Sequence, residues 1–425
     1  MRHLAPRTAG GRVSETLADP RRYLPAIRRV AGALATRQPA AAVLLDRDQE
    51  ALARRLAAEV GPDWQARPAP RRVIFVDKPR SVVVLEPLDR VVHTVVASAL
   101  MEAFEQRFAE GLFSYRRGRG SPGAADRLHA CAVAHQATRP DPRTRGLWVL
   151  RFDVANYGDS VPIHDGAELW DMLAAWLPDE PPWLHRLVRS LSQCGAHGSF
   201  ATCGVPNGSA LSNPLINVYL ADVDTLLEQR ALTAVRYGDD VGAVFATADE
   251  AEAALSEVLA VLARKGLGLR QEKLARLYWT GSGRRPEIGG WSPARHVTMC
   301  GLDVAFNGGD RVKTARRRAL LADLFTRLRN SSRLLPVEVP EVRAKLLCEA
   351  ASVVLDPRSP LALPGFAPFL HHTSCRVQLR EMDRMIAIEV AGLAANARGP
   401  RAFRQVAWRR LYDLGLPSLT VLRNR

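Results

Sequence analysis

The stretch AVRYGDDVGAVF, Ala234 to Phe245, sets two carboxylates side by side, Asp239 and Asp240, between two apolar runs of strand-like composition. Adjacent acids at a hairpin tip repel. Two unit charges ~4 Å apart cost about 4 kcal/mol at an effective dielectric of 20. A divalent cation reverses the sign of that interaction. Oxygen-only ligands suit Mg2+, which keeps several waters and borrows phosphate oxygens from its substrate. Two such ions ~3.5–4 Å apart can activate a nucleophile and hold a leaving group in phosphoryl transfer. A third carboxylate is then wanted from a neighbouring strand, and Asp153 closes the apolar run LWVLRF. Alone, the Asp-Asp pair also reads as an ordinary turn, because Asp and Gly favour turns.

The flanking elements must bring these acids together. DQEALARRLAAEV has helical spacing with Asp48 as its cap. RRVIFVDKPRSVVVLEPLDR gives two short β-rich runs split near Lys78-Pro79-Arg80. RVVHTVVASALMEAFEQRF is apolar at helical steps, and PPWLHRLVRSLSQC is helical too. GVPNGSALSNPLINVYLADVDTLLEQR is a Gly/Pro loop entering a long helix capped by Ser212. EAEAALSEVLAVLARKGLGLRQEK is a helix closed by Gly266, then a short strand, and HVTMCGLDVAF is a strand pair. From Arg311 onward the pattern is helical. The order fits an α+β core with an all-α appendage.

In that frame the sequence resembles the reverse transcriptases of the bacterial and group II intron-like kind, in order from about Arg71 to Phe306. Tyr237-Gly238-Asp239-Asp240 has the family's Tyr-x-Asp-Asp form, and RFDVANYGDSV resembles its first palm motif through Asp153. GVPNGSALSNPLINVYL, KGLGLRQEK and MCGLDV resemble the three palm motifs around and after that box. KPRSVVVLEPLDRVV and FSYRRGRGSPGAADR resemble two fingers segments.

The resemblance implies a right-hand polymerase: α+β palm and fingers with an all-α thumb and C-terminal region. Its divisions would be a leader and helical extension over 1–70, fingers over 71–150, a palm with a fingers insertion over 151–308, and thumb and tail over 309–425. It implies an RNA-directed DNA polymerase using two Mg2+ ions, with Asp153, Asp239 and Asp240 as catalytic and metal-ligating acids. Asp153 and Asp239 would be the principal ligands. Lys78, Arg80, Tyr157, Gly158, Asn207 and Lys273 would bind the nucleotide. Arg116, Gly208, Gly301, Arg316 and Arg317 would touch template and primer. Partners would be an RNA template, a nucleic-acid primer and nucleoside triphosphates, with room for a dedicated non-coding RNA.

The chain departs from the family at Gly158, five residues after Asp153, where a large aromatic that blocks a ribose 2′-hydroxyl is usual. Tyr157 could rotate in to replace it, or ribonucleotides could be admitted. Asn207 replaces the usual Gln, and Asn213-Pro214 shifts a kink by one residue. No His/Cys nuclease signature follows, and retron-like, antiviral-defence and CRISPR-adjacent roles all stay open. So do an RNA polymerase or template-independent transferase on the same palm, a non-catalytic RNA-binding scaffold and, more distantly, a cyclic-dinucleotide cyclase.

Bulk composition agrees with a polyanionic partner. The 425 residues carry a net charge of +15 and a pI near 10.2. GGDRVKTARRRALLADLFTRLRNSSRLL combines Arg311, Lys313, Arg316, Arg317, Arg318, Arg327, Arg329 and Arg333 with an apolar stripe of Leu320, Leu321, Leu324 and Leu328. That reads as a thumb helix with one face along a phosphate backbone. Six cysteines form no Cys-x-x-Cys pair, which argues against a zinc ribbon or a disulfide framework. No apolar run reaches the ~20 residues of a bilayer span, and the N-terminus has no signal-peptide core. The expected location is the cytoplasm, with no membrane partner.

Overall fold

The computed structural model describes residues 12–423 except 36–37, 76–78, 140, 142–144, 287, 308–310, 313, 336–338, 357–358, 360, 364–365, 367–369 and 371–372. Lys78 and Lys313 therefore lie outside the described residues. In chain order the elements are α1 (Val13–Leu17), α2 (Tyr23–Leu34), α3 (Pro39–Asp46), α4 (Gln49–Glu59), β1 (Arg71–Phe75), β2 (Pro79–Val83), α5 (Pro87–Phe104), α6 (Ser121–Ala137) and β3 (Leu147–Asp153). There follow α7 (Tyr157–Ser160), α8 (Glu168–Trp176), α9 (Pro182–Gln193), α10 (Ser212–Tyr219), α11 (Ala221–Arg230), β4 (Thr233–Tyr237), β5 (Asp240–Phe245) and α12 (Ala248–Arg264). The remainder is β6 (Ala275–Trp279), β7 (Ser292–Ala294), β8 (His296–Met299), β9 (Leu302–Ala305), β10 (Arg311–Val312), α13 (Thr314–Arg333), α14 (Pro340–Leu355), α15 (Arg376–Ala395), α16 (Trp408–Asp413) and α17 (Leu419–Leu422).

Two compact units form, and neither follows chain order. The first holds residues 1–120 and 150–275; the second holds 121–149 and 276–425. These boundaries differ from divisions at 70, 150 and 308, because β3 and the chain after α12 each pass from one unit to the other.

In the first unit the sheet order is β4-β5-β3, with β3 contributing Leu150–Asp153. The hairpin β4–β5 is antiparallel with Tyr237 opposite Asp240, so its tip is the two-residue turn Gly238-Asp239. Gly238 has φ +67°, the region a two-residue hairpin demands and glycine reaches without strain. Strand residues Val235, Val241, Ala243, Val244 and Phe245 are all buried, so both faces of this hairpin are covered. Helix α5 begins with Pro87 in its first turn, and buries Val91, Val92, Val95, Val96, Leu100 and Phe104. Helix α12 opens with a capping box, Thr247 with Glu250, and Gly266 at φ +69° follows its end. Asp48 caps α4 by accepting from the Ala51 amide at 2.9 Å.

Two local expectations change. Ser212 does not cap α10: the cap position is Leu211, and Ser212 Oγ instead donates to the Ser209 carbonyl at 2.8 Å. The strand expected after Gly266 shortens to one bridge, Leu269 with Val154, followed by a 3₁₀ turn over Gln271–Lys273.

In the second unit β6 runs parallel to β7, and β8, β9 and β10 form an antiparallel sheet in the order β10-β9-β8. Trp148, Tyr278 and Trp291 cluster with ring centroids 4.7 and 5.0 Å apart. Helices α13, α14 and α15 pack together, burying Leu320, Leu321, Leu324 and Leu328 together with Leu347, Ile386 and Val390.

Candidate active site

The first unit builds the site at the end of its sheet. Asp153 stands at the last residue of β3, and the next amide, Val154 N–H, donates to the Asp239 carbonyl at 3.1 Å. On its other side the Arg270 amide donates to the Asp153 carbonyl at 2.9 Å. The strand end is thus pinned between the hairpin tip and the segment that carries Arg270 and Lys273. Burial, and then the negative charge of Asp153, push the Asp239 carboxyl above the ordinary carboxylate range. The Val154–Asp239 hydrogen bond places the residues that carry the two acids side by side.

Asp153 is buried. Its Oδ2 accepts from Lys273 Nζ. Its Oδ1 is buried and accepts no hydrogen bond, its cation neighbour Arg270 Nη1 lying 3.7 Å away. An orphaned buried carboxylate oxygen is costly unless something binds it. With oxygen donors only at Asp153 and Asp239, these residues fit a hard divalent cation. Asp240, expected to support Asp153 and Asp239, opens β5 beside the turn. Its two oxygens accept from Arg151 Nε and Nη2 at 3.2 and 3.4 Å, so a guanidinium already compensates its charge. Among the described residues no three His, Cys, Asp or Glu side chains converge into a ready metal cage. Two carboxylates would need water and substrate oxygens to complete the shell, which is how Mg2+ is commonly held.

Beneath the tip lies a buried ionic platform. Arg236, 1% exposed, gives both Nε and Nη2 to Asp224 at 2.6 Å each. Its Nη1 donates to the Gly238 carbonyl at 3.2 Å, and Nη2 also reaches the Asn217 carbonyl at 3.0 Å. Asn217 is itself locked to Ser114, side chain and carbonyl, at 3.0 Å each. Burial opposes the guanidinium's charge, but Asp224 beside it outweighs that and holds its pKa up. The Gly238-Asp239 turn is therefore tied from below to α10 through Asn217 and to α11 through Asp224.

A cleft of about 580 Å³ opens beside Asp239, lined among others by Arg80, Tyr115, Gly158, Asn207 and Arg270. Gly158 leaves no empty gate. A Cβ there would meet Asn207 Oδ1 at 2.8 Å, and Asn207 Nδ2 donates to Asp159 Oδ1 at 2.6 Å. An amide–carboxylate pair fills the position where a side chain was missing. Tyr157 does not rotate in: its ring is buried and its hydroxyl donates to the Ile216 carbonyl, so it supports the floor. Gly208, at φ +92°, lies on the same cleft and lets the loop approach β2, where a Cβ would stand 3.1 Å from Val82. The Val83 amide donates to the Asn207 carbonyl at 2.7 Å, fixing that loop to β2.

Other sequence-chosen residues are elsewhere. Arg116 is a correction: its buried guanidinium is spent on the Glu105 carboxylate and on the carbonyls of Ala109, Leu112 and Glu105. No donor is left for a template. Gly301 belongs to the second unit, at φ +82° in the turn Cys300-Gly301 of the β8–β9 hairpin. Arg316 is exposed on α13. Arg317, expected along the template–primer, instead pairs with Glu381 of α15 at 2.8 Å. Arg151, Arg270, Asp159 and the Arg236–Asp224 platform were missed. The signal for Arg151 and Arg236 was a charge inside a buried strand; Arg270, three residues before Lys273, gave none.

The fold is of the α+β palm-and-fingers class with a helical thumb. The family model for reverse transcriptase (RNA-dependent DNA polymerase) matches residues 69–303, more than half of the chain, and the chain belongs to that family. No curated protein matches it. Among solved structures it is similar to apo telomerase from Candida tropicalis truncated of its C-terminal domain, with a TM-score of 0.43 and 11% identity over 58% of this chain and 55% of that one. Telomerase from Candida albicans with a TWJ fragment of telomeric RNA gives 0.42 and 11%, over 85% and 66%. Telomerase from Candida tropicalis with the same kind of fragment gives 0.43 and 12%, over 83% and 65%. The chain thus spans 55–66% of those telomerase chains, and likeness at this level carries no argument about function.

Proposed function

We propose that the protein is a template-directed RNA-dependent DNA polymerase of the bacterial, group II intron-like branch, acting with two Mg2+ ions. The observation that carries this reading is the meeting of Asp153 and Asp239 at the hairpin tip, with Asp153 Oδ1 buried and unbonded, beside a cleft of nucleotide size. The bound ions would supply Lewis acidity toward the primer 3′-hydroxyl and the α-phosphate. Asp153 and Asp239 would hold them. Lys273 and Arg270, now on Asp153, are cations within reach to exchange that carboxylate for phosphate oxygens. Arg80 would grip the triphosphate, a bidentate guanidinium matching its geometry. The primer 3′-oxygen forms the new bond to the α-phosphorus and loses its proton; the bond to pyrophosphate breaks. Lys273 is placed to orient that leaving group or give it a proton. Positioning and charge dominate such a reaction.

The 71–150, 151–308 and 309–425 divisions remain our proposal for fingers, palm and thumb. RNA template, primer and nucleoside triphosphates are the proposed partners, and the charge of +15 suits an additional non-coding RNA. The cytoplasm is the proposed location. Among the described residues no helix is long and apolar enough to cross a membrane. An antiviral-defence role is one proposal within this branch. The ribonucleotide-using alternative rests on Gly158, where the Asn207–Asp159 pair presents polar groups in place of an apolar wall.

Purified protein is incubated with primed RNA, Mg2+ and either dNTPs or NTPs, and again as Asp239→Ala. Extension with dNTPs that is lost in Asp239→Ala supports the reading. Extension with NTPs favours the alternative, and RNA binding without extension favours a scaffold.

A further inference from the structure

Strand β3 reads LWVLRFD, and Leu147, Val149, Leu150 and Phe152 are buried in it. Arg151 interrupts that run with a charge. Strand side chains alternate in direction, so Arg151 and Asp153 stand on one face, about 7 Å apart along the strand, and Phe152 on the other. A guanidinium one pleat behind Asp153 opposes any divalent ion held there. Its presence in a buried strand needs a reason.

The partner supplies one. Arg151 gives Nε to Asp240 Oδ1 at 3.2 Å and Nη2 to Oδ2 at 3.4 Å, a fork that occupies both carboxylate oxygens. The two side chains are 24% and 18% exposed, so dissolved salt screens the pair weakly. Asp240 follows Asp239 directly in the chain. Among the described residues it nonetheless does not converge with Asp153 and Asp239 into a three-acid cluster. Fewer carboxylates hold a hard cation less tightly, because ligand charge count tunes such affinities. Lys273 and Arg270 beside Asp153 reduce the negative charge of the site further.

We propose that Arg151 is a positioning residue for the polymerase reaction: by forking Asp240 it keeps that acid out of the metal shell, so the site presents two carboxylates to a divalent cation and not three. This rests on the metal-site reading above. Arg151 touches neither nucleotide nor ion and acts through Asp240. The nucleotide's phosphate oxygens then complete the shell that the protein leaves short.

The test reads Mn2+ binding to the full chain by electron paramagnetic resonance, without nucleotide, with Asp239→Ala marking binding outside the site. Arg151→Gln should tighten Mn2+ binding about tenfold, because a third carboxylate joins the shell. The charge-matched Arg151→Gln/Asp240→Asn should return to within about twofold of wild type, since replacing both members of an ion pair is often neutral. Arg151→Lys, which keeps a cation on Asp240, should stay near wild type. The gain in Arg151→Gln should survive about 1 M KCl, where the Debye length is about 3 Å and a mere change in distant charge is screened out. A gain that vanishes in that salt, or no gain at all, would overturn the proposal. So would a loss of about tenfold in the double variant, which would make Asp240 a ligand already in wild type. If Arg151→Gln does not fold, the double variant decides alone, provided it melts like wild type. A wild-type signal no greater than that of Asp239→Ala would overturn the metal site itself, and the polymerase reading with it. A wild-type signal above that reference keeps the reading, whatever becomes of Arg151.

Discussion

Replacing Arg236 by methionine would remove the platform under the Gly238-Asp239 turn while leaving a side chain of similar length. Asp224 would stay buried without its counter-ion, and breaking a buried pair from one side costs about 3–5 kcal/mol. Equilibrium urea unfolding of the first-unit signal should show that loss. Burial already holds the Asp224 carboxyl above its ordinary range despite Arg236 beside it. Without Arg236 its pKa rises further. A carboxyl whose folded pKa is raised gives its stability below the unfolded value, about 3.8, and loses it as pH rises through the folded value. The cost of Arg236→Met relative to wild type should therefore be small near pH 4 and full at pH 7.5.

The double variant Arg236→Met/Asp224→Leu separates holding the fold from aiming the turn. Removing both charges in favour of apolar side chains is often neutral, so stability should largely return, giving a coupling of several kcal/mol in the cycle. Extension should not return with it. The Gly238 carbonyl loses its donor at 3.2 Å in both variants, and a misplacement of ~1 Å can cost on the order of 100-fold in rate. A single variant destabilised equally at pH 4 and 7.5 would refute the reasoning. So would a double variant that recovers full kcat.

Gly158→Phe should break the Asn207–Asp159 bond, because its Cβ falls 2.8 Å from Asn207 Oδ1; the nucleotide KM should rise severalfold, and adding Asn207→Gly should relieve it. Unchanged KM and sugar choice in the single variant would rule out this polar wall. Buried His93, with its pKa pushed down to about 4 by desolvation, is neutral in the fold. It binds a proton more readily when unfolded, so stability should fall as pH drops from about 6.5 to about 4, by on the order of 3 kcal/mol in all. His93→Gln should flatten that part of the unfolding curve. Arg270→Ala should raise the KM for nucleotides at least tenfold while Arg270→Lys recovers part of it; a fall in Mg2+ affinity with unchanged KM would place Arg270 on the metal site alone.

Legibility in the sequence followed chemistry that repeats along the chain. Helix periodicity placed α5, α9 and α12, and the apolar run before Asp153 marked β3, because burial imposes a pattern on every residue of an element. The carboxylates were legible for the same reason: two adjacent acids break that pattern. What the sequence hid was pairing across space. Arg116 belongs to a basic loop in one dimension and to Glu105 in three. Arg151, between buried Leu150 and Phe152, is explained only by Asp240, 89 residues later. Gly158 suggested an opening because the side chain that fills it comes from Asn207 on another loop.

Compensation separates the charges that hold the structure from those that act on something else. Arg236 with Asp224, Arg116 with Glu105 and Lys265 with Glu168 and Asp222 are each balanced inside the molecule. Folding already satisfies them, and they need no ligand. Asp153 differs in its hydrogen bonding: one oxygen meets Lys273, and the other is buried without a hydrogen bond, 3.7 Å from Arg270 Nη1. That oxygen is where the proposed cation would bind beside Asp239. A buried carboxylate oxygen without a hydrogen bond is the feature that our proposal of a divalent cation answers. Charge that folding leaves without a partner is therefore a better guide to function here than the net charge of +15, which does not say where the excess lies.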